Sequence, residues 1–465
     1  MDLALYVQKR LHVARYLPHR TLSSQSLTRP STNTLQCPLP NTSAPLMQAL
    51  DPDKARVFAV DVVEELRSCG YEAVWAGGCV RDQLLGKEPK DYDVATNATP
   101  DQVREVFGKG RTILIGAAFG VITVLGPRSA GQIEVATFRR DAIYSDGRHP
   151  DSVAFSNAEE DALRRDFTIN GLFFDPITKE VIDYVGGQTD LQQRVLRAIR
   201  DPEERIEEDK LRMLRAVRFA ATFAFEIDPS TMSAIQRHAD ELQVVSAERI
   251  AAELRRMLTH DNRRRAAELL RESGLLSTIL PELDIADEAW QETLRLLEAV
   301  SEPTTSVVFA LLLRPVHVGN HDAGQVEHIC RRWKLSNEEI DGVLFCLDCE
   351  ATIRSANAVP WPTLQRLLIA PRIKELMRFC EAVALIVARQ MAAIDYCSKK
   401  LALPPDELNP SPLLDGDTLR SAGLPPGPIY KRLLSEVRDA QLEGTVSTPD
   451  EALELAKSLA NATDS

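Results

Sequence analysis

No run of about 18 apolar residues occurs in this 465-residue chain, which excludes a membrane-spanning helix. No repeat period is visible, so no repeat array is expected. Basic residues are in deficit: 55 Lys and Arg stand against 68 Asp and Glu, a formal net charge of −13. Taken alone, that speaks against a sequence-wide nucleic-acid binder, because phosphate contacts need Lys and Arg. Local patches rather than totals decide binding, however. Cysteine is scarce as well. The 8 thiols, at 37, 69, 79, 330, 346, 349, 380 and 397, are irregularly spaced. That usage fits a reducing compartment, cytoplasm or organelle matrix equally. Cys346 and Cys349 form a lone CxxC. No further soft ligands stand at matching spacing, so two buried thiols on a helix are expected rather than zinc. His317, His321, Asp322 and His328 also cluster, and a polar loop after an apolar helix is expected there rather than a metal site.

What is present is ordinary globular composition, 44% apolar and 26% charged, which rules out a disordered, collagen-like or fibrous chain. The length predicts roughly three domains at ~150 residues each. Residues 1–48 hold one acid, Asp2, against Lys9, Arg10, Arg15, Arg20 and Arg29, with many Ser, Thr and Pro. That composition suits a transit peptide, a disordered extension or a start upstream of Met47. Residues 53–68 read as an amphipathic helix, and Tyr71 to Ala76 as a strand ending in a Gly77-Gly78 turn. Short strands follow near 91–95, 112–115, 119–125 and 131–138, then near 172–175 and 180–184. The polar stretch from Arg139 to Ser152 reads as a loop. From about 201 the pattern is almost wholly helical, with Pro-rich breaks near 402–412 and 424–428. The expected organisation is a leader at 1–48, an α/β head of mixed sheet and helices at 49–200, and an all-α remainder. The remainder divides into a neck at 201–260, a body at 261–405 and a tail at 406–465.

Three constellations in the head carry chemistry. In Gly77-Gly78-Cys79-Val80-Arg81-Asp82, a strand ends, glycines turn the backbone and a helix begins. Glycines allow close approach to a phosphate, exposed N–H groups attract anions, and Arg81 adds a charge-assisted contact. A Gly-Gly turn before a helix is common, so structural and functional readings both stand. Asp91 and Asp93 flank Tyr92 on the next strand, where residues i and i+2 share a face. Paired carboxylates repel unless a cation lies between them, and hard oxygen ligands suit Mg²⁺ on substrate phosphates. An exposed acidic edge is the alternative. Glu134, between Ile133 and Val135, faces away from both. If it shares the face of the aspartates, three carboxylates converge as metal-assisted nucleotidyl transfer requires. Otherwise it is a solvent-facing Glu.

The segment VWAGGCVRDQLLGKEPKDYDVATNATPDQV, with RRDFTINGLFFD at 164–175 and RIEEDKLRMLRAVRFA at 205–220, resembles the class II nucleotidyltransferases. That family comprises the enzymes adding CCA to tRNA and the bacterial poly(A) polymerases. The likeness runs from about 53 to 283. It implies a nucleotidyltransferase head, with Gly77, Gly78 and Arg81 at the nucleotide. It implies Asp91 and Asp93 holding Mg²⁺, with Glu134 as third carboxylate. Arg165 and Asp166 would contact the nucleotide around its ribose. Asp209, Arg212, Arg215 and Arg218, with Glu208 beside them, would line the nucleotide pocket. Lys210 departs from the family, which usually has proline there.

Asp209 and Arg212 are three apart, which predicts a shared helix face. A carboxylate only accepts hydrogen bonds and a guanidinium only donates, a pair that matches cytosine and adenine and refuses uracil and guanine. A surface ion pair is the plainer alternative. Arg212, Arg215 and Arg218 continue at helical spacing and would repel unless phosphates or carboxylates neutralise them.

The resemblance implies ATP, CTP and the 3′ end of tRNA as partners, Mg²⁺ as cofactor and no membrane. Gly116-Ala117-Ala118-Phe119-Gly120 lacks the basic turn of the poly(A) polymerases. Residues 440–465 hold Glu443, Asp450, Glu451, Glu454 and Asp464 against Lys457, and 412–453 looks like the tail of the tRNA-processing members. These features favour tRNA over other RNA 3′ ends. The full-length segment 139–153 implies addition of the terminal A, with or without the two C residues. A catalytically silent RNA-binding protein is the alternative from another class, and the intact carboxylates count against it. Arg314-Pro315 stands where a His-Asp phosphohydrolase would carry its metal ligands, so no such activity is expected. Arg249, Arg255, Arg256, Arg263, Arg264 and Arg265 offer either a basic stripe for phosphates or a solvated helix face. The expected compartment is the cytoplasm, or an organelle matrix if residues 1–48 are a transit peptide.

Overall fold

The computed structural model describes residues 51–114, 120–141, 153–320 and 323–461. The leader 1–48, the segment 116–119, most of the loop 139–152, His321 and Asp322 lie outside the described residues. Among the described residues no helix is long and apolar enough to cross a membrane. The chain forms two compact units. One is residues 51–284 with Arg332–Lys334, and the other is Ile285–Arg331 with the chain from Leu335 onward.

The first unit opens with α1 (Pro52–Ser68). Asp51 caps it by accepting from Lys54 N at 3.2 Å, and Pro52 suits its first turn. Phe58, Ala59, Val62, Val63 and Leu66 recur at helical spacing and are buried. They cover a seven-stranded sheet of β1 (Ala73–Ala76), β2 (Asp93–Thr96), β3 (Thr112–Ile113), β4 (Val121–Leu125), β5 (Gln132–Thr137), β8 (Phe173–Asp175) and β9 (Glu180–Ile182). The order is β3-β4-β5-β2-β1-β8-β9. Only the β2–β5 pair within it is parallel. Short α2 (Gly78–Leu84) follows β1, and α3 (Pro100–Phe107) follows β2 with a complete Thr99–Gln102 capping box. The ends of the loop 139–152 pair as a small ladder, β6 (Arg139–Asp141) with β7 (Val153–Phe155), and α4 (Ala158–Leu163) follows.

After β9 come α5 (Gly187–Gln193) and then α6 (Pro202–Glu208), α7 (Leu211–Phe223), α8 (Pro229–His238), α9 (Ala247–Leu258), α10 (Arg263–Glu272) and α11 (Leu275–Ile279). The expectation of helices alone beyond 201 misses one feature. Two-residue strands β10 (Val195–Leu196) and β11 (Glu226–Ile227) pair in parallel across α7. Strands that short leave no alternation to detect. The first unit is completed by a distant return of the chain. Arg332 donates to Glu282 at 2.6 and 2.9 Å, and the Trp333 indole N–H donates to Ile279 O at 3.3 Å.

The second unit is helical, with α12 (Asp287–Ala299), α13 (Thr305–Asn320), α14 (Ala323–Arg332), α15 (Asn337–Arg354), α16 (Trp361–Leu368), α17 (Ile373–Val383) and α18 (Ala392–Leu401). Cys346 and Cys349 are buried on α15, and burial pushes the Cys346 thiol well above its ordinary range. Arg314, at the expected His-Asp position, is buried in a two-pronged ion pair with Glu350 at 2.9 and 3.0 Å. His317 is half-buried and His328 exposed. Among the described residues no three His, Cys, Asp or Glu side chains are grouped closely enough to hold a metal ion. After α19 (Pro405–Leu408), the helices α20 (Gly416–Ser421), α21 (Ile429–Leu442) and α22 (Pro449–Asn461) share a small core of Leu419, Leu433, Val437, Ala452 and Ala456.

Candidate active site

The site begins where β1 turns into α2. Gly77 has φ +70°, a conformation that L side chains avoid. A Cβ there would lie 2.6 Å from Arg165 Nη1, so the turn leaves room for a guanidinium as well as bending the chain. Gly78 follows, with open space around its α-carbon apart from Arg81 Nη2 at 3.8 Å. Arg81 is buried and committed. Its Nε and Nη2 donate to Asp82 Oδ1 at 2.9 and 2.7 Å, and its Nη1 donates to Asn170 Oδ1 at 2.6 Å. Its guanidinium lies 4.4 Å from the Phe223 ring centre.

The carboxylates come from two strands. Asp93 and Glu134 are direct partners in the parallel β2–β5 register, which puts their side chains on one face of the sheet. Both are exposed on that face, while their neighbours Val94, Ile133 and Val135 are buried. Asp91 lies in a bend just before β2, not inside it as the sequence suggests. Buried Tyr92, its ring 4.8 Å from Trp75, separates two exposed aspartates, and the Asp91 charge adds to the upward push on Asp93. Crowding by protein atoms and then the Glu134 carboxylate push the Asp93 pKa up to about 6, against the opposing pull of Arg165. A cleft of about 670 Å³ opens beside Asp91, with Lys90, Tyr92, Gln132 and Ile133 among its walls.

The segment 164–175 supplies the next layer. Arg165 donates to Asp161 Oδ2 at 3.2 and 3.0 Å and to Asn170 O at 3.1 Å. Asp166 accepts from Phe167 N at 2.9 Å, Asn170 Nδ2 at 3.0 Å and the Arg215 guanidinium at 2.8 and 2.5 Å. Burial works to raise its pKa, but Arg215 and Asn170 outweigh it and hold the group at about 2.

The junction between α6 and α7 corrects one expectation. Asp209 and Arg212 do not share a helix. α6 ends at Glu208, Asp209 is extended (φ −150°, ψ 103°), and Arg212 lies in the first turn of α7. Asp209 Oδ1 accepts from Leu211 N at 3.0 Å, and Oδ2 accepts from Arg249 Nη2 at 2.7 Å. Arg212 Nη1 donates to Glu208 Oε2 at 2.5 Å and to Arg205 O at 2.7 Å. Asp209 and Arg212 therefore rest on separate partners, and the surface-pair alternative does not describe them either. Arg218 donates to buried Glu253 Oε2 at 2.5 Å and lies 4.0 Å from the Phe219 ring centre. Each arginine of this constellation thus has a carboxylate: Asp82 for Arg81, Asp161 for Arg165, Glu208 for Arg212, Asp166 for Arg215 and Glu253 for Arg218.

Sequence reasoning missed Asn170, Asp161 and Phe219 as organisers of these arginines. Asn170 lies inside the quoted segment, and its amide can both donate and accept. The arginines of 249–265 do not form one stripe. Arg249 turns to Asp209, Arg263 is buried, and Arg256, Arg264 and Arg265 reach Glu253, Glu268 and Glu272.

Residues 73–197 match the family model described as the poly A polymerase head domain, and 224–286 match the probable RNA and SrmB-binding site of polymerase A. The CCA-adding enzyme of Streptococcus suis is 31% identical over 399 residues, covering 85% of this chain and 94% of that protein. The CCA-adding enzyme of Geobacillus thermodenitrificans is 34% identical over 403 residues, covering 85% and 95%. Among solved structures, the Bacillus stearothermophilus CCA-adding enzyme in complex with CTP superimposes with a TM-score of 0.71 at 29% identity, over 88% of this chain and 99% of that one. The Thermotoga maritima CCA-adding enzyme complexed with tRNA gives 0.62 at 19% identity, over 89% and 97%, a likeness of fold.

Proposed function

The chain belongs to the CCA-adding enzyme family, and on that premise we propose that it adds CMP and AMP to the 3′ end of tRNA from CTP and ATP, without a template, releasing pyrophosphate. The observation that carries the proposal is the pairing of Asp93 with Glu134 across the parallel strands, with exposed Asp91 two residues before Asp93.

Asp91, Asp93 and Glu134 are not gathered as a ready three-carboxylate cluster, but their donor chemistry fits a divalent metal. The ligands are hard oxygens, and the Asp93 pKa is raised first by burial and then by the charge of Glu134. Asp91 and Asp93 would hold Mg²⁺, with Glu134 as the third carboxylate. When bound, the ion supplies positive charge against the phosphates and the attacking hydroxyl. The chain's own residues do the remainder. Gly77 and Gly78 let the backbone approach the nucleotide, and Arg81 with Arg165 present positive charge beside that turn. Asp166, fixed by Asn170 and Arg215, faces the ribose. Asp209 accepts from the base amino group, and Arg212 donates to the adjacent ring nitrogen, with Glu208 holding its guanidinium. Arg215 and Arg218 attract the triphosphate. The 3′-hydroxyl oxygen of tRNA then bonds to the α-phosphorus, the bond to pyrophosphate breaks, and the hydroxyl proton passes to the carboxylate face.

The test uses transcripts ending before CCA, after C and after CC, plus an unstructured RNA, each incubated with single nucleotides and Mg²⁺. Extension of the three tRNA transcripts with CTP or ATP in the correct order is expected, with the unstructured RNA left unextended. Asp91→Ala should abolish extension. Full activity in that variant would remove Asp91 from the assignment, and extension of the unstructured RNA with ATP would point to poly(A) synthesis.

A further inference from the structure

Between the two base readers stands Lys210, and a chain of side chains leads away from it. Lys210 forms an ion pair with Glu241 Oε2, on the turn that follows α8. Glu241 Oε1 lies 2.6 Å from His238 Nδ1, at the end of α8. His238 Nε2 lies 2.5 Å from Glu203 Oε2, in the first turn of α6. Arg237 pairs with the other oxygen of Glu203. The chain therefore begins at the start of α6 and ends at the break where α6 gives way to α7. Asp209 is the residue immediately before Lys210, so the break sets where its carboxylate stands relative to Arg212.

Two features of geometry give the chain a purpose beyond packing. Both ring nitrogens of His238 face carboxylate oxygens, and a neutral imidazole can donate through only one of them. The arrangement is complete only with His238 protonated. Lys210 itself has φ −57° and ψ −23°, inside the range that a proline ring would enforce, and Asp209 before it is extended, as a residue preceding proline must be. The backbone at the break is thus held by ion pairs in a conformation that a ring could hold covalently.

We propose that Glu203, His238, Glu241 and Lys210 form a clamp that positions Asp209 against Arg212, and so sets the preference for ATP and CTP over UTP and GTP. The proposal rests on the reading that Asp209 and Arg212 contact the base. The clamp residues are positioning residues and touch no nucleotide. The titratable and charged groups facing His238 are Glu203 from α6, Glu241 from the turn, and Lys210 beyond it, while Arg237 shares Glu203. Burial opposes the imidazolium, but the two carboxylates raise its pKa above the ordinary 6.5. The clamp is therefore whole below the ordinary imidazole pKa and loosens as pH rises through the raised one.

The experiment measures kcat and KM for ATP, CTP, UTP and GTP on a tRNA transcript with Mg²⁺, at about pH 6 and about pH 9. Wild type should lose selectivity on the alkaline side. His238→Gln and Lys210→Ala should lose about tenfold or more of it at both pH values, mainly through KM for the correct nucleotides, as a misplacement of about 1 Å allows. Lys210→Pro should keep the acid-side preference of wild type and lose its pH dependence, and should rescue His238→Gln in the double variant. If His238→Gln and Lys210→Ala lower only the melting temperature and leave selectivity intact, the clamp is overturned. Asp209→Ala separates the two ideas. If it loses selectivity while the clamp variants keep theirs, the clamp alone fails. If it keeps selectivity, the base-reading assignment fails and takes the clamp with it.

Discussion

Asn170 uses one amide to serve two ends of the site. Its oxygen accepts from Arg81 and its nitrogen donates to Asp166, so the helix after the glycine turn and the Asp166 carboxylate share a single support. Truncating it strands a buried Arg81 donor and takes one donor from Asp166, which keeps Phe167 N and Arg215. Asn170→Ala should lose about 1–3 kcal/mol in urea denaturation. The KM for nucleotide should rise more than kcat falls, since neither the carboxylate face nor the reacting atoms are touched. Asp166 gives a sign for acid sensitivity. Its pKa is lowered from 3.8 to about 2, so the folded state favours the ionised form. That contribution is fully present above the ordinary value and drains away as pH falls from about 4 to about 2, about 2 kcal/mol in all at 1.36 kcal/mol per unit. The gap in denaturation midpoint between wild type and Asp166→Asn should therefore be wide at about pH 6 and narrower at about pH 3. An unchanged gap would remove the Arg215 pairing as its source.

At the scale of elements, the turn from β1 into α2 is the most sensitive to a single methyl group. Gly77→Ala puts a side chain at φ +70° and pushes on Arg165 Nη1 from 2.6 Å. A cost of about 1–2 kcal/mol is expected from the backbone alone. Nucleotide affinity should fall with it, because Arg165 must leave Asn170 O. Gly78→Ala meets only an ordinary contact at 3.8 Å and should leave the melting temperature near that of wild type. Melting curves and nucleotide titrations of both variants check this. The strands of the seven-stranded sheet were legible from alternation and turn residues, and so was the amphipathic α1, but the small β6–β7 ladder was not, its first strand lying in what reads as a loop. The β2–β5 partnership was not, because nothing local to Asp93 or Glu134 specifies a parallel neighbour about forty residues away; the rest of the sheet decides it. The break between α6 and α7 was hidden for another reason. Helical spacing runs unbroken from 205 to 220, without glycine or proline. The available signal was Asp209 itself, an aspartate whose side chain competes for a backbone N–H and so favours a helix start over a helix interior.

Across the whole molecule, the excess of 68 acids over 55 bases is organised rather than diffuse. The arginines at 81, 165, 212, 215 and 218 are each held by an acid. Net charge taken alone misjudged the partner for this reason. The helical unit follows the same practice without a ligand. Its buried Arg314–Glu350 pair is desolvated on both sides. Arg314→Ala should cost about 3–5 kcal/mol by leaving buried Glu350 with only the exposed Arg354 at 3.8 Å, whereas Arg314→Met with Glu350→Leu should come close to wild type or exceed it. Urea midpoints of the two variants decide whether the pair is kept for stability. The return of Arg332–Lys334 to Glu282 and Ile279 bears on synthesis. A ribosome making this chain must translate Ile285–Arg331 of the helical unit before the first unit receives its last contacts, so the carboxylate-bearing unit matures only after the opening helices of the other have been made.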